Sequence, residues 1–210
     1  MIRIRNCFVP FIAVFLVISL LIPITSSADA GLVPDFQLPD DPVYVTLDTG
    51  ETLYLSIGES ELREYVDFFR NEMNFSDAAI AGVLSNLQCE SGFNVEKIGD
   101  MGAAYGLCQW RGARLDAMVN YCNENDLNPI RKEGQLAYLK HDLEENYIYP
   151  YDLLRYCEDN EAHAQMAVYF FCAYYEAPAD PDSECVERVK ICKELIYPTL
   201  KEWEKAERGW

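Results

Sequence analysis

The sequence predicts a mainly α fold: a single helical domain with a small loop and hairpin region, preceded by a signal peptide or N-terminal anchor. Three observations carry this reading. Apolar residues recur at helical spacing from residue 60 to about 207. Capping residues, glycines and prolines interrupt that pattern at short intervals. Strand-like alternation is confined to the stretch before residue 60. The chain therefore divides into residues 1–30, a lead at 31–59, and a domain at 60–207.

Residues 1–30, MIRIRNCFVPFIAVFLVISLLIPITSSADA, place Arg3 and Arg5 ahead of an apolar run and end on Ala28-Asp29-Ala30, a small-x-small cleavage pattern. That is the layout of a secretory signal peptide. The run from Cys7 to Ile24 is also long enough to stay as a membrane anchor. In either case the arginine flank stays inside, and the domain is expected outside the cytoplasm, secreted, wall-associated or anchored. Contact with a membrane is expected only through an uncleaved N-terminal segment.

In the lead, VYVTLDTGETLYLSI reads as two short strands around Asp48-Thr49-Gly50. Leu62, Tyr65, Val66 and Phe69 give a helix over 61–71. Ser76 caps the next helix and Asp77 complements its dipole. Beyond Trp110, Leu115, Met118, Val119 and Cys122 share one helical face, which Asn128-Pro129 ends. Leu136, Leu139 and Leu143 face inward from a helix over 133–145. A Tyr-rich connector comes next, with a short helix broken by Pro150. Asn160 caps a helix that runs to Tyr174 and ends before Pro178 and Pro181. A last helix over 184–207 carries Val186, Val189, Leu195 and Ile196, with a kink expected at Pro198.

Composition narrows the function. The 210 residues carry a net charge of −18. Without residues 1–30 there remain 15 basic and 34 acidic residues, because only Arg3, Arg5 and Asp29 leave with that segment. Phosphate recognition needs a basic patch, so nucleic acid is not expected as a partner. A neutral glycan remains compatible with an acidic surface, since salt screens charge beyond about 8–10 Å. Seven cysteines lie beyond residue 30, without a Cys-x-x-Cys pair, and the two histidines are His141 and His163. No zinc spacing results, and no metal or cofactor is expected. Nothing in the sequence sets an oligomeric state.

The chemistry concentrates between Ala78 and Trp110. Ile80, Val83, Leu84 and Leu87 form one apolar helical face, and Glu90 continues it just before Gly92. A carboxyl group on a buried stripe tends to hold its proton, which suits a general acid. Periodicity alone also permits an acid turned outward at a frayed helix end. Gly92, Gly99, Gly102 and Gly106 then crowd one loop, with Asp100 among them, ahead of Gly106-Leu107-Cys108-Gln109-Trp110. The Gln109 amide can both donate to and accept from a sugar hydroxyl or N-acetyl group.

This string, NLQCESGFN followed by GDMGAAYGLCQW, resembles the phage-tail lysozyme family of the lysozyme-like superfamily, related to goose-type lysozymes and lytic transglycosylases. The resemblance spans roughly residues 76–205 and is strongest over 86–110. It implies a lysozyme-like fold and a glycoside hydrolase that binds peptidoglycan glycan strands and cleaves the β-1,4 bond between N-acetylmuramic acid and N-acetylglucosamine. Glu90 would protonate the leaving oxygen. Asp100 is the candidate second carboxylate, with Glu96 and Asp116 as alternatives and an Asx-turn as its structural role. Gln109 and Trp110 would bind substrate. Tyr175, or its neighbour Tyr174, in AYYEAP would hydrogen-bond Glu90 or a sugar. A lytic transglycosylase would need one carboxylate only. A non-catalytic wall-binding or assembly protein on the same fold is the alternative of another class. Cys89 beside the acid and Cys108 beside Gln109 would, if bridged, pin the helix end to the loop.

Overall fold

The computed structural model describes residues 39–209. The expected export segment lies outside these residues, and no helix among them is long and apolar enough to cross a membrane.

The lead forms the expected hairpin. Strand β1 (Pro42–Thr46) pairs antiparallel with β2 (Thr52–Gly58), Tyr44 opposite Tyr54 and Thr46 opposite Thr52. Gly50, at φ 83°, closes the turn through its N–H to the Leu47 carbonyl at 2.8 Å. Leu53, Leu55 and Ile57 alternate inward and are buried, so the hairpin is a packed lid on the helical core.

Helix α1 (Glu59–Met73) buries Leu62, Tyr65, Val66, Phe69 and Met73. Helix α2 (Asp77–Ser91) starts at Ser76, whose hydroxyl accepts from the Ala79 N–H at 3.2 Å, and stops at Gly92 in the left-handed region at φ 60°. One apolar face is too narrow a reading of α2: every residue from Ala78 to Leu87 is buried. Its small residues make that possible. A Cβ on Gly82 would lie 2.5 Å from the Ala167 Cβ, so α2 and its neighbour meet almost backbone to backbone. Buried Ser85 and Asn86 remain satisfied by bonding the Gly82 carbonyl at 2.8 Å each.

After α2 comes a three-stranded antiparallel ribbon: β3 (Ile98–Gly99), β4 (Ala104–Tyr105) and β5 (Trp110–Arg111), with a 3₁₀ turn at Asp100–Gly102. The helices α3 (Ala113–Glu124), α4 (Lys132–Glu145), α5 (Ile148–Arg155), α6 (Glu161–Phe171), α7 (Pro181–Ile191) and α8 (Tyr197–Arg208) complete the shell around α2. Asn160 caps α6 as expected, its side chain accepting from the His163 N–H.

Two expectations about proline change. Pro150 does not break the connector helix. It is the third residue of α5, within the first turn, where its missing N–H has no helical partner to lose. Pro198 does not interrupt a helix from within. It is the second residue of α8 and comes after a π-helical turn over Cys192–Ile196. A second π turn, Cys172–Glu176, extends α6. Neither is legible as a break, because a π turn keeps the chain helical and only rotates the residues beyond it.

Candidate functional site

The end of α2, the β3–β5 ribbon and the second π turn enclose a cavity of about 560 Å³, a volume in the usual range for a ligand site. Glu90, Asp100, Gln109, Arg114, Tyr147 and Glu176 all line it. It therefore collects three carboxyl groups from three separate parts of the chain.

Glu90 sits in the last turn of α2, as expected, but its neighbour is a cation. The Arg188 guanidinium, brought in by α7, donates to Glu90 Oε1 at 2.7 Å, to Asn86 Oδ1 at 2.8 Å and to Glu184 Oε2 at 3.4 Å. Arg188 is 4% exposed. Desolvation works against the charge on this guanidinium, and the carboxylate of Glu90 more than restores it. The apolar stripe thus ends in a nearly buried ion pair rather than in an isolated acid.

Asp100 lines the cavity from the 3₁₀ turn, largely exposed, with Arg111 Nη1 at 3.1 Å. The loop holds it by strained backbone. Asp100, Met101 and Gln109 take φ of 46°, 55° and 46°, a region that non-glycine residues rarely occupy. Gln109 is the clasp. Its Nε2 donates to the Gly106 carbonyl at 2.9 Å and to the Lys97 carbonyl at 3.2 Å, which ties β5 back over the loop. Both amide protons are spent on the protein, so Oε1 is the part of this side chain left for a ligand. A Cβ on Gly99 would lie 2.0 Å from that oxygen. Buried Gln135 braces the same loop from α4. It accepts from the Leu107 N–H at 2.9 Å and donates to the Val95 and Pro129 carbonyls at 2.8 Å each.

Two expected contacts take another form: Trp110 is not among the residues lining the cavity, and Tyr175 lines it but spends its hydroxyl on other partners. Trp110 is 1% exposed and stands behind the cavity, not in it. Its Nε1 donates to the Tyr175 hydroxyl at 3.0 Å, and its ring packs edge-on against Tyr138. It is a core residue with no free face on which a sugar could stack. The Tyr175 hydroxyl does not reach Glu90. It donates to Asp142 Oδ2 at 3.0 Å, while the ring, fully buried, supports the Arg114 guanidinium 4.4 Å from its centroid. Arg114 is fixed further by the Tyr175 carbonyl at 3.1 Å and Asp142 at 3.4 Å. Tyr174 is exposed and packs against Tyr149 and Tyr169. The Cys89–Cys108 bridge is not formed: both are free thiols, Cys89 exposed and Cys108 buried.

Sequence reasoning misses Glu176, although it singles out the same segment for its tyrosines. Part of the residue is accessible, yet its Oε1 is sealed from solvent and makes no geometrically formed hydrogen bond among the described residues, the Cys108 thiol being the side-chain neighbour of this carboxyl. Burial, reinforced by the charge of Glu90, pushes its carboxyl up to about 8, against the opposing pull of Arg114 and Arg188. The π turn explains why helical spacing does not find it, since the extra residue per turn re-aims the side chains at its end.

The phage tail lysozyme family model matches residues 61–198. The chain belongs to the phage tail lysozyme family. No curated protein matches the sequence. The family match takes in α2, the ribbon and both π turns, so every residue described at the cavity falls within it. Membership gives the chain a lysozyme-like character directed at peptidoglycan.

Proposed function

We propose that the protein is a muramidase that cleaves the β-1,4 bond between N-acetylmuramic acid and N-acetylglucosamine at the α2–ribbon cavity. The observation that supports this reading is that Glu90, from the end of α2, and Asp100, from the 3₁₀ turn of the ribbon, line one open cavity. Glycoside hydrolysis uses two carboxyl groups flanking the bond, one giving a proton to the leaving oxygen and one ionised. Glu90 is the acid. Asp100, solvated and held by Arg111, is the partner that stays charged, and either activates water or steadies the oxocarbenium-like state. The Gln109 Oε1 accepts a hydrogen bond from the substrate. The work is done outside the cytoplasm, after export directed by residues 1–30.

The test is digestion of purified peptidoglycan, with mass spectrometry of the products. Reducing muramic acid ends are expected. Products ending in 1,6-anhydromuramic acid would make the protein a lytic transglycosylase, and binding without cleavage would make it a wall-binding protein on the same fold.

A further inference from the structure

The proposed reaction leaves the third carboxyl group of the cavity without a role. Glu176 is an acid placed by a π turn in the lining of the cavity; its side chain meets the Cys108 thiol, and its Oε1 is sealed from solvent without a geometrically formed hydrogen bond among the described residues. An unsatisfied buried polar atom costs about 1–3 kcal/mol, so a fold that retains one invites a functional explanation. Its surroundings are specific. The charged and titratable groups facing it are Glu90 from α2, Cys108 from the ribbon, Arg114 from α3 and Arg188 from α7. Glu90 is the negative member of that set, and it is already paired with Arg188 at 2.7 Å. A carboxylate held by a guanidinium is poorly set up to give away a proton. The reading of Glu90 as the acid therefore needs a source for that proton inside the cavity.

We propose that Glu176 is the proton-holding partner of Glu90, the two carboxyl groups sharing one proton across the cavity. This rests on the reading of Glu90 as the site's acid. In the resting site the proton sits on Glu176, and the Glu90–Arg188 pair carries the charge. The Glu176 O–H bond then breaks and its proton passes to the Glu90 carboxylate. The two carboxyl groups still hold one negative charge between them. Glu90 next gives the proton to the leaving glycosidic oxygen as the anomeric C–O bond breaks, and the two become doubly negative. Water adds its oxygen to the anomeric carbon, and its released proton returns to them. Burial of the Glu176 carboxyl supports this role, because two neighbouring carboxylates, one of them desolvated, do not both ionise easily. It keeps the proton on Glu176 up to about pH 8.

The experiment is a carboxyl-carbon NMR titration of the purified protein labelled at glutamate, together with the pH dependence of kcat/KM on peptidoglycan. One glutamate should titrate far above the others, near pH 8. That signal should vanish in Glu176→Gln and move down in Glu90→Gln, which removes the neighbouring charge. In Glu176→Gln the alkaline limb of the rate profile should shift to lower pH, and Glu176→Asp should restore part of the shift. A Glu176 that titrates with the surface glutamates overturns the proposal, as does a Glu176→Gln profile superimposable on wild type. If the shared titration is present but peptidoglycan is not cleaved, the muramidase reading fails and the proton-sharing pair stands. If Glu176→Gln does not fold, the downward move of the raised signal in Glu90→Gln decides the matter alone.

Discussion

The helix side and the ribbon side of the cavity hold the same chemical group in opposite ways. Glu90 and Glu176 stand at the ends of helical elements, Glu90 against a guanidinium that is 4% exposed. Asp100 stands on a turn with more than half of its side chain in solvent, beside an Arg111 that is more open still. On the helix side, packing supplies the precision, and charge is dear because water is excluded. On the ribbon side the precision comes from backbone: positive φ at Asp100, Met101 and Gln109, clasped by the Gln109 amide. On the helix side burial raises the Glu176 carboxyl, while on the ribbon side the Asp100 side chain stands in solvent beside an arginine. A two-carboxylate reaction needs that asymmetry.

The sharpest way to break the comparison is to neutralise the helix side. Glu90→Gln keeps the shape and hydrogen-bonding capacity of the side chain. It should lower the rate of peptidoglycan cleavage by about 10²–10⁴-fold, the usual contribution of a positioned acid, with the fold intact by circular dichroism. Activity within a few-fold of wild type would remove Glu90 from the mechanism.

The next largest effect falls on stability. Arg188→Ala strands the Glu90 carboxylate and the Asn86 side-chain oxygen without their common donor. Breaking one member of a buried pair costs about 3–5 kcal/mol, and denaturant unfolding should show a loss of that size. Arg111→Ala, the matching change on the ribbon side, touches an exposed pair and should cost at most about 1 kcal/mol. Equal losses would mean that the two walls do not differ in the way described.

The architecture is legible in the sequence because it rests on local signals. Ser76 and Asn160 cap the helices they are expected to cap, and Gly92 ends α2 in the left-handed region that glycine tolerates. The export segment is an expectation on residues outside 39–209. The site is legible only in part. Glu90, Asp100 and Gln109 all line the cavity because they flank one contiguous loop, where position in sequence translates into position in space. Arg188 lies 98 residues from Glu90, and no helical spacing connects them. Glu176 depends on a π turn, which leaves no periodic signature. Trp110 misleads for a different reason. Its place beside Gln109 suggests substrate contact, but within β5 it turns into the core while its strand neighbour Arg111 lines the cavity.

On the ribbon side the informative change is Asp100→Asn. An ionised partner of the acid should be worth about 10²-fold in turnover, at the low end of the range for such groups. The melting temperature should barely move, because the lost pair with Arg111 is exposed. Near-wild-type turnover with anhydro products would mean that one carboxylate suffices, and that Asp100 serves the turn alone.

The smallest expected effect separates the cavity from the core behind it. Trp110→Phe removes the indole N–H that donates to the Tyr175 hydroxyl at 3.0 Å and leaves the Tyr175–Asp142 bond in place. The lost hydrogen bond and the smaller ring together should cost about 1–3 kcal/mol, read in denaturant unfolding. KM for glycan fragments should stay unchanged, because the ring is 1% exposed and lies behind the cavity wall. A sugar-stacking tryptophan would behave in the opposite way, raising KM with little loss of stability. A raised KM with unchanged unfolding would therefore require the ribbon to open and turn Trp110 outward when substrate binds, and would make the ribbon side a mobile wall facing a rigid helical one.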